Sequence, residues 1–351
     1  MDLQELWFIL IAVFWGGYFL LEGFDFGVGM LLPLLPRDEG DRKVMFESIG
    51  PVWDGNEVWL VVAGGATFAA FPAWYATMFS GFYVALLLLL VFLIVRVVSF
   101  EWREKSESPR WRAVWMWANS IGSYGAALIW GVAFANLVRG VPIDSSGDFS
   151  GDFWDLFSVY TVVAGVAVVL LFAFHGATYL TLRTTGELCR RAAHAAGRLS
   201  IAAAVVGAVF LAWTVAVAVD RNDKDVFPPV LPAVLGIAAL ALAVWFVLKG
   251  RSGLAFIATG LGAVLTVATL FTSLFPRVMV SSTDFANSLT VDGASSAHYT
   301  LKVMTVVAVM VTPVVLLYQG WTYYVFRQRL GGGEPRRQPG AEPESDPLLP
   351  A

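Results

Sequence analysis

Cysteine is nearly missing from this chain: Cys189 is the single one among 351 residues. That excludes an internal disulfide and any multi-cysteine zinc or iron–sulfur site within the chain, and Cys189 itself reads as a small packing residue near a helix end. Histidine is almost as scarce, at three. Charge is thin as well, with Asp, Glu, Lys and Arg making up 14% of the residues where a soluble domain has roughly a quarter. The net charge of -4, with no Lys/Arg cluster interleaved with aromatics, leaves no footprint for a nucleic-acid partner. No phosphate-cradling Gly loop, Ser/His/Asp set or metal-ligand spacing occurs. The opening "MDLQELWFIL" is acidic rather than basic and the apolar run continues past residue 30, so it reads as a retained first span and not as a cleaved signal peptide.

What the chain does have is apolar length. Hydrophobic residues make up 58% of it and the mean hydropathy is +0.69, the composition of an integral membrane protein. Stretches long enough to cross about 30 Å of hydrocarbon as helices fall at residues 7–35, 52–71, 74–99, 113–138, 155–183, 195–220, 228–248, 253–275 and 299–327. The expected fold is therefore all-α and polytopic, with nine transmembrane helices. Between the second and third stretches only "FPAW" intervenes, and Pro72 marks the turn there. Residues 1–330 read as the nine-helix domain, and 331–351, rich in Gly, Pro and Glu, as a disordered cytoplasmic tail.

Lys and Arg set the orientation. With the N-terminus outside, seventeen of the 23 fall in inner segments and only Arg139, Arg221, Lys224 and Arg277 in outer loops, with Arg96 and Lys302 inside helix ends. The positive-inside rule then places the C-terminus in the cytoplasm.

This orientation gathers the membrane acids on one side. Glu22 and Asp25 in "LEGFDFGVGM" lie past the middle of the first helix, and Asp54 and Glu57 in "VWDGNEVWL" lie in the first turns of the second, all toward the cytoplasm. A carboxylate at mid-bilayer costs about 2.5–3.5 kcal/mol on insertion scales, so such a residue faces the protein interior, a partner or a water path. Carboxyl groups in a low-dielectric setting can exchange protons near neutral pH. Asp54 has a second reading as the cap of the second helix, with Glu57 completing a capping box. Glu57 reads as a solvated or structural acid. Asp25, between Gly23 and Gly27, is not explained by capping and is the better candidate for buried chemistry.

The histidines speak to haem. A b-type haem takes one or two axial ligands, usually His or Met, but His194 and His298 stand near helix ends and His175 is alone on the fifth helix. His175 in "FAFHGATYL" reads first as a structural hydrogen bond to a neighbouring helix, with proton relay or haem contact as alternatives. Read from its residues, the chain holds no cofactor site of its own.

Taken in order, "LEGFDFGVGML", "PVWDGNEVWL", "GGATFAAFPAWYATMFSGFYVAL", "GVAFANLVRGVP", "HGATYLTLRTTGEL", "FPRVMVSSTDFANSLT" and "TPVVLLYQGWTYYVFR" closely resemble subunit II of cytochrome bd quinol oxidase, over all nine helices and excluding the tail. The resemblance implies a terminal oxidase of the bacterial plasma membrane that oxidises quinol and reduces O₂ to water with cytoplasmic protons. It implies two four-helix bundles plus one peripheral helix, packed on subunit I, which would carry two b-type haems and one d-type haem. Quinone, membrane lipids and a small single-helix accessory subunit are further partners it allows. By the same resemblance Asp54 matches an acid of a proton path, and Asp25 and more loosely Glu22 match acids of the first helix. Trp59 matches a residue at the mouth of an O₂ channel, with helix-packing bulk as its other reading. Other members can have Asp at the position of Glu22 and Gln at that of His175, and the loop "DRNDKDVFPP" is shorter than in some. The competing function is a proton-coupled transporter, but such proteins bind at the midplane between inverted repeats, whereas these acids crowd one leaflet. The small-residue stretch "AGGATFAAFPA" suits close helix contact, within the chain or against subunit I.

Overall fold

Hydrocarbon offers backbone groups no hydrogen-bond partners, so a chain this apolar closes its polar groups within helices. The computed structural model describes residues 2–222 and 224–331, and the expected tail beyond Gly331 lies outside the described residues. Twelve α-helices are found among them: α1 (Leu3–Leu31), α2 (Glu39–Ile49), α3 (Trp53–Ala70), α4 (Pro72–Gly81), α5 (Tyr83–Trp102), α6 (Pro109–Arg139), α7 (Val159–Arg183), α8 (Gly186–Arg221), α9 (Val230–Leu248), α10 (Ser252–Leu274), α11 (Val291–Ala294) and α12 (His298–Val325). A two-stranded antiparallel ribbon, β1 (Arg277–Met279) and β2 (Leu289–Thr290), pairs Arg277 with Thr290. Among the described residues eight helices are long and apolar enough to cross a membrane, and nine if the bent pair α3–α4 is counted as one span.

The second and third expected spans need correction. Pro72 is the first residue of a new helix, and α3 and α4 meet at 118°. Pro at that position loses nothing, because its missing N–H is one that the first turn leaves unpaired anyway. A second break at Phe82 separates α4 from α5, so the expected 74–99 helix is two elements and the crossing one is α5. The amphipathic α2 is an element that the hydropathy scan passed over. It is anchored by Glu39, which pairs with Arg42, Arg103 and Arg112, and by Asp41, which pairs with Arg191.

α1 packs on α3, α6, α7 and α10, α5 on α6, and α6 on α7; α7 packs on α8 and α10 and α9 on α8 and α10, while α12 is set against α1 and α3. In lipid no hydrophobic force drives such helices together, so close packing and small residues carry the association. The α1–α7 crossing shows it: a Cβ on Gly27 would overlap the Phe172 carbonyl oxygen and lie 2.7 Å from the Gly176 nitrogen. Around that crossing Phe19, Phe26, Phe134 and Phe172 interlock, with Phe26 stacked on Phe172 at 5.9 Å.

The connections collect at two ends. One end holds α2 with its arginine pairs and residues 328–330, where the Leu330 N–H donates to the Arg183 carbonyl. The other holds the ribbon, the 140–158 loop and α11, joined by bonds such as Val141 N–H to the Val280 carbonyl. Overpacking at the Gly27–Gly176 crossing costs at least about 1–3 kcal/mol. Gly27→Ala is therefore expected to lower the thermal midpoint of the detergent-solubilised protein, while Gly253→Ala, at a position with open space around it, leaves it unchanged or slightly raised.

Candidate functional site

Glu22 and Asp25 sit three residues apart on α1 and so share one helix face. Both are completely buried, as are Arg96 of α5 and Asn56 of α3. Arg96 Nη1 lies 2.5 Å from Glu22 Oε1, and its guanidinium carbon is 4.6 Å from the Phe26 ring centroid. Asn56 Nδ2 donates to Asp25 Oδ2 at 2.7 Å and, more weakly, to the Leu21 carbonyl at 3.4 Å.

The network continues to α12. Asn56 Oδ1 accepts from Tyr323 Oη at 2.7 Å and from Gln319 Nε2 at 3.2 Å, and the Trp59 indole N–H donates to Gln319 Oε1 at 2.9 Å. Asn56 is thus fully engaged, as a buried amide must be. The acids are not: Glu22 Oε2 and Asp25 Oδ1, like Arg96 Nε and Nη2, have no hydrogen-bond partner among the described residues. Arg96 carries one fixed positive charge, and Glu22, Asp25 and Glu57 all lie within its field. One guanidinium balances one carboxylate, so a second buried acid is electrically neutral only with a proton on it.

A cavity of about 240 Å³ opens beside this network, between α3 and α12. Asp54 and Gly55 stand on its wall along with Asn56, Gln319 and Tyr323. Asp54 itself is exposed in the isolated chain. The capping reading of Asp54 is not sustained: Val52 is the N-cap of α3, Asp54 lies in its first turn, and no side chain makes a cap bond there. Glu57 consequently closes no capping box. A second, more apolar cavity of about 120 Å³, lined by Phe14, Val58, Trp59 and Val315, adjoins on the same side. Trp59 is half-buried and wedged over Gly17, where a Cβ would overlap its ring. The structure therefore brings Glu22, Asp25 and Trp59 into one network and places Asp54 at the mouth of the cavity beside it.

His175 stands apart from these groups. It is completely buried, stacked on Phe256 at 4.6 Å, with Nε2 3.0 Å from the Leu20 carbonyl and Nδ1 2.6 Å from Thr259 Oγ1. The carbonyl can only accept, so Nε2 carries the proton and Nδ1 faces the hydroxyl. Both nitrogens are engaged, which leaves neither for an iron atom and supports the structural reading.

Sequence reasoning missed four members, Asn56, Arg96, Gln319 and Tyr323. Arg96 is a lone cation in "LLLLLVFLIVRVVSF", and a charge inside such a run signals a buried partner. Gln319 and Tyr323 are four residues apart in "YQGWTYY", one turn on the same helix face.

Residues 3–326 match the model of the family described as cytochrome bd terminal oxidase subunit II. The cytochrome bd ubiquinol oxidase subunit 2 of Bacillus subtilis (strain 168) is 44% identical over 95% of this chain and 98% of its own length. The cytochrome bd-I ubiquinol oxidase subunit 2 of Escherichia coli (strain K12) is 37% identical over 92% and 93%. A chain of the bd oxidase structure from Geobacillus thermodenitrificans has the same fold, with a TM-score of 0.69 at 16% identity over 93% of this chain and 97% of that one.

Removing one partner of a buried ion pair costs roughly 3–5 kcal/mol, while replacing both by apolar residues is often neutral. Arg96→Leu is expected to destabilise by that amount and Glu22→Leu/Arg96→Leu to recover most of it, as measured by unfolding in a double-mutant cycle. Additive losses would contradict the pairing.

Proposed function

Because the chain belongs to the cytochrome bd terminal oxidase subunit II family, we propose that it packs on a haem-bearing subunit I and supplies the acids that carry protons from the cytoplasm toward the site of O₂ reduction. The observation that carries this reading is the continuity from Asp54, on the cavity wall, to Asn56, which both lines that cavity and binds Asp25. The partner's haems, two of b type and one of d type, supply the electron transfer from quinol to O₂. This chain's part is to hold and move protons and to admit O₂.

The division of labour follows from the partners. Glu22 is tied to Arg96 and serves to fix the guanidinium. Asp25 has one oxygen held by Asn56 and one free, so it can accept a proton without breaking its anchor. Asp54 is the entry acid. Trp59, with its ring against Phe14 and the smaller apolar cavity, is the gate on the O₂ side. The orientation from Lys and Arg supports a cytoplasmic entry, since the end bearing α2 is also the arginine-rich one.

The surface for subunit I is read on α3 and α5. Val61 and Phe68 of α3 and Leu90 and Ile94 of α5 are exposed. Gly64 and Gly65 have no atom of this chain where a Cβ would sit, so the small-residue stretch of α3 is free for close approach by another helix. A proton-coupled transporter fits less well, because the acids lie toward one end and are tied by Asn56 and Arg96 rather than arranged around a central substrate cavity.

Asp54→Asn keeps size and hydrogen bonding but removes the exchangeable proton. It is expected to assemble with its full haem complement and to lose most of its quinol-driven O₂ consumption per haem d, on the order of tenfold or more, as general acid–base groups do. Asp25→Asn is expected to behave the same way and Glu57→Gln much less so. Assembled Asp54→Asn enzyme turning over at the wild-type rate would remove Asp54 from the path.

A further inference from the structure

The arginine-rich end contains a cleft that the proton path does not use. It has a volume of about 590 Å³ and lies between the end of α1 and the N-terminal half of α8. Its floor is apolar, formed by Leu31, Leu34, Leu35 and Leu199, and no acid lines it. Cations stand around it, and they differ in how far they are committed. Arg191 donates Nε to the Leu35 carbonyl at 2.8 Å and pairs with Asp41, and His194 binds the Arg190 carbonyl through Nδ1 at 2.8 Å. Arg37 and Arg198 also line the cleft, are exposed, and have no side-chain hydrogen bond or ion pair among the described residues.

The acids nearby are already in use. Asp38, Asp41 and Glu187 line an adjoining polar cleft. Of these, Asp41 is paired with Arg191, Glu187 with Arg190, and Asp38 caps α2 by accepting the Asp41 N–H at 2.8 Å. Asp41 and Glu187 are thus neutralised by other arginines, and Asp38, which shares the polar cleft with Arg37, is held at the start of α2 and forms no ion pair with it.

The position of the two guanidinium groups is that of a membrane surface. At 36 residues α8 is about 54 Å long, well beyond the roughly 30 Å of hydrocarbon, so its first turns project from the apolar layer. Arg198 immediately precedes the apolar run "LSIAAAVVGAVFLAW", and Arg37 immediately follows "LLPLLP" at the end of the first apolar run. Two free guanidinium groups at that border, above a leucine floor, match a phosphate with acyl chains below it: the planar fork of Arg suits phosphate oxygens, and the leucines suit methylene chains.

We propose that this cleft binds one anionic diacyl phospholipid, its phosphate held by Arg37 and Arg198 and its acyl chains laid over Leu31, Leu34, Leu35 and Leu199. The site is independent of the proton-path reading.

The test uses the assembled oxidase complex, delipidated and titrated with dioleoyl phosphatidylglycerol under native mass spectrometry. Each cation near an anionic headgroup is worth roughly a fivefold change in binding, so Arg37→Gln/Arg198→Gln is expected to weaken the tightest lipid by about twenty- to thirtyfold. Both arginines are exposed, and an unchanged haem spectrum verifies that the variant has assembled. Dioleoyl phosphatidylcholine, with the same chains and no net charge, is expected to bind wild type far more weakly than phosphatidylglycerol does. Millimolar inorganic phosphate is expected not to displace the lipid, and removal of residues 332–351 not to alter its affinity. Equal phosphatidylglycerol binding by wild type and variant overturns the proposal. So does displacement by phosphate alone, which makes this a simple anion site, or tighter lipid binding after tail removal, which makes the chain's own tail the occupant.

Discussion

The contact between Glu22 and Arg96 is the constraint around which the membrane interior of this chain is arranged. Both groups are completely out of solvent, and an isolated charge there is prohibitive. Arg96 cannot shed its proton, so the fold has to supply a carboxylate beside it. That requirement ties α5 to α1. It also determines what Asp25 can do. With the guanidinium committed to Glu22, Asp25 sits in the same field held by an amide, Asn56, whose neutral donor leaves the acid free to exist with or without a proton.

Asn56 is the joint between this buried pair and the periphery. Its amide nitrogen serves Asp25 and its oxygen takes Tyr323 and Gln319, so the outlying α12 is fastened to the acids by polar bonds rather than by apolar burial. Similar bonds recur along that helix, from the Trp7 indole to the Leu301 carbonyl and Thr305 hydroxyl, and from Trp59 to Gln319. In lipid, where apolar contact with a neighbour and with acyl chains are nearly equivalent, polar bonds of this kind decide where a peripheral helix sits. The cavity between α3 and α12 that carries Asp54 exists because those bonds hold the two helices at a fixed distance.

Much of this was legible before any coordinates. Most of the apolar stretches correspond to single long helices because hydrocarbon thickness fixes span length, and the acids of "LEGFDFGVGM" and "VWDGNEVWL" announced themselves as charges in an apolar run. The failures are equally physical. Hydropathy does not distinguish a continuous helix from one broken at Phe82, where Gly81 is the lone local signal, and it is blind to α2, whose charged face lowers its average. The capping-box pattern at Asp54 has the right letters, but the helix begins two residues earlier than that cap requires, at Trp53 after the Val52 cap. Asn56, Gln319 and Tyr323 carry no charge and no motif, so only the crossing of α3 and α12 shows that they meet.

The claim at the centre of this account is that Asp25, next to a fixed ion pair, takes up and gives up a proton as the oxidase turns over. Redox-induced infrared difference spectroscopy of the assembled complex reads this directly, through the stretching band of a protonated carboxyl group and its shift in heavy water. The account predicts such a band in wild-type enzyme that disappears in Asp25→Asn and persists in Glu57→Gln. A difference spectrum with no carboxyl band, or one that Asp25→Asn leaves unaltered, would contradict it.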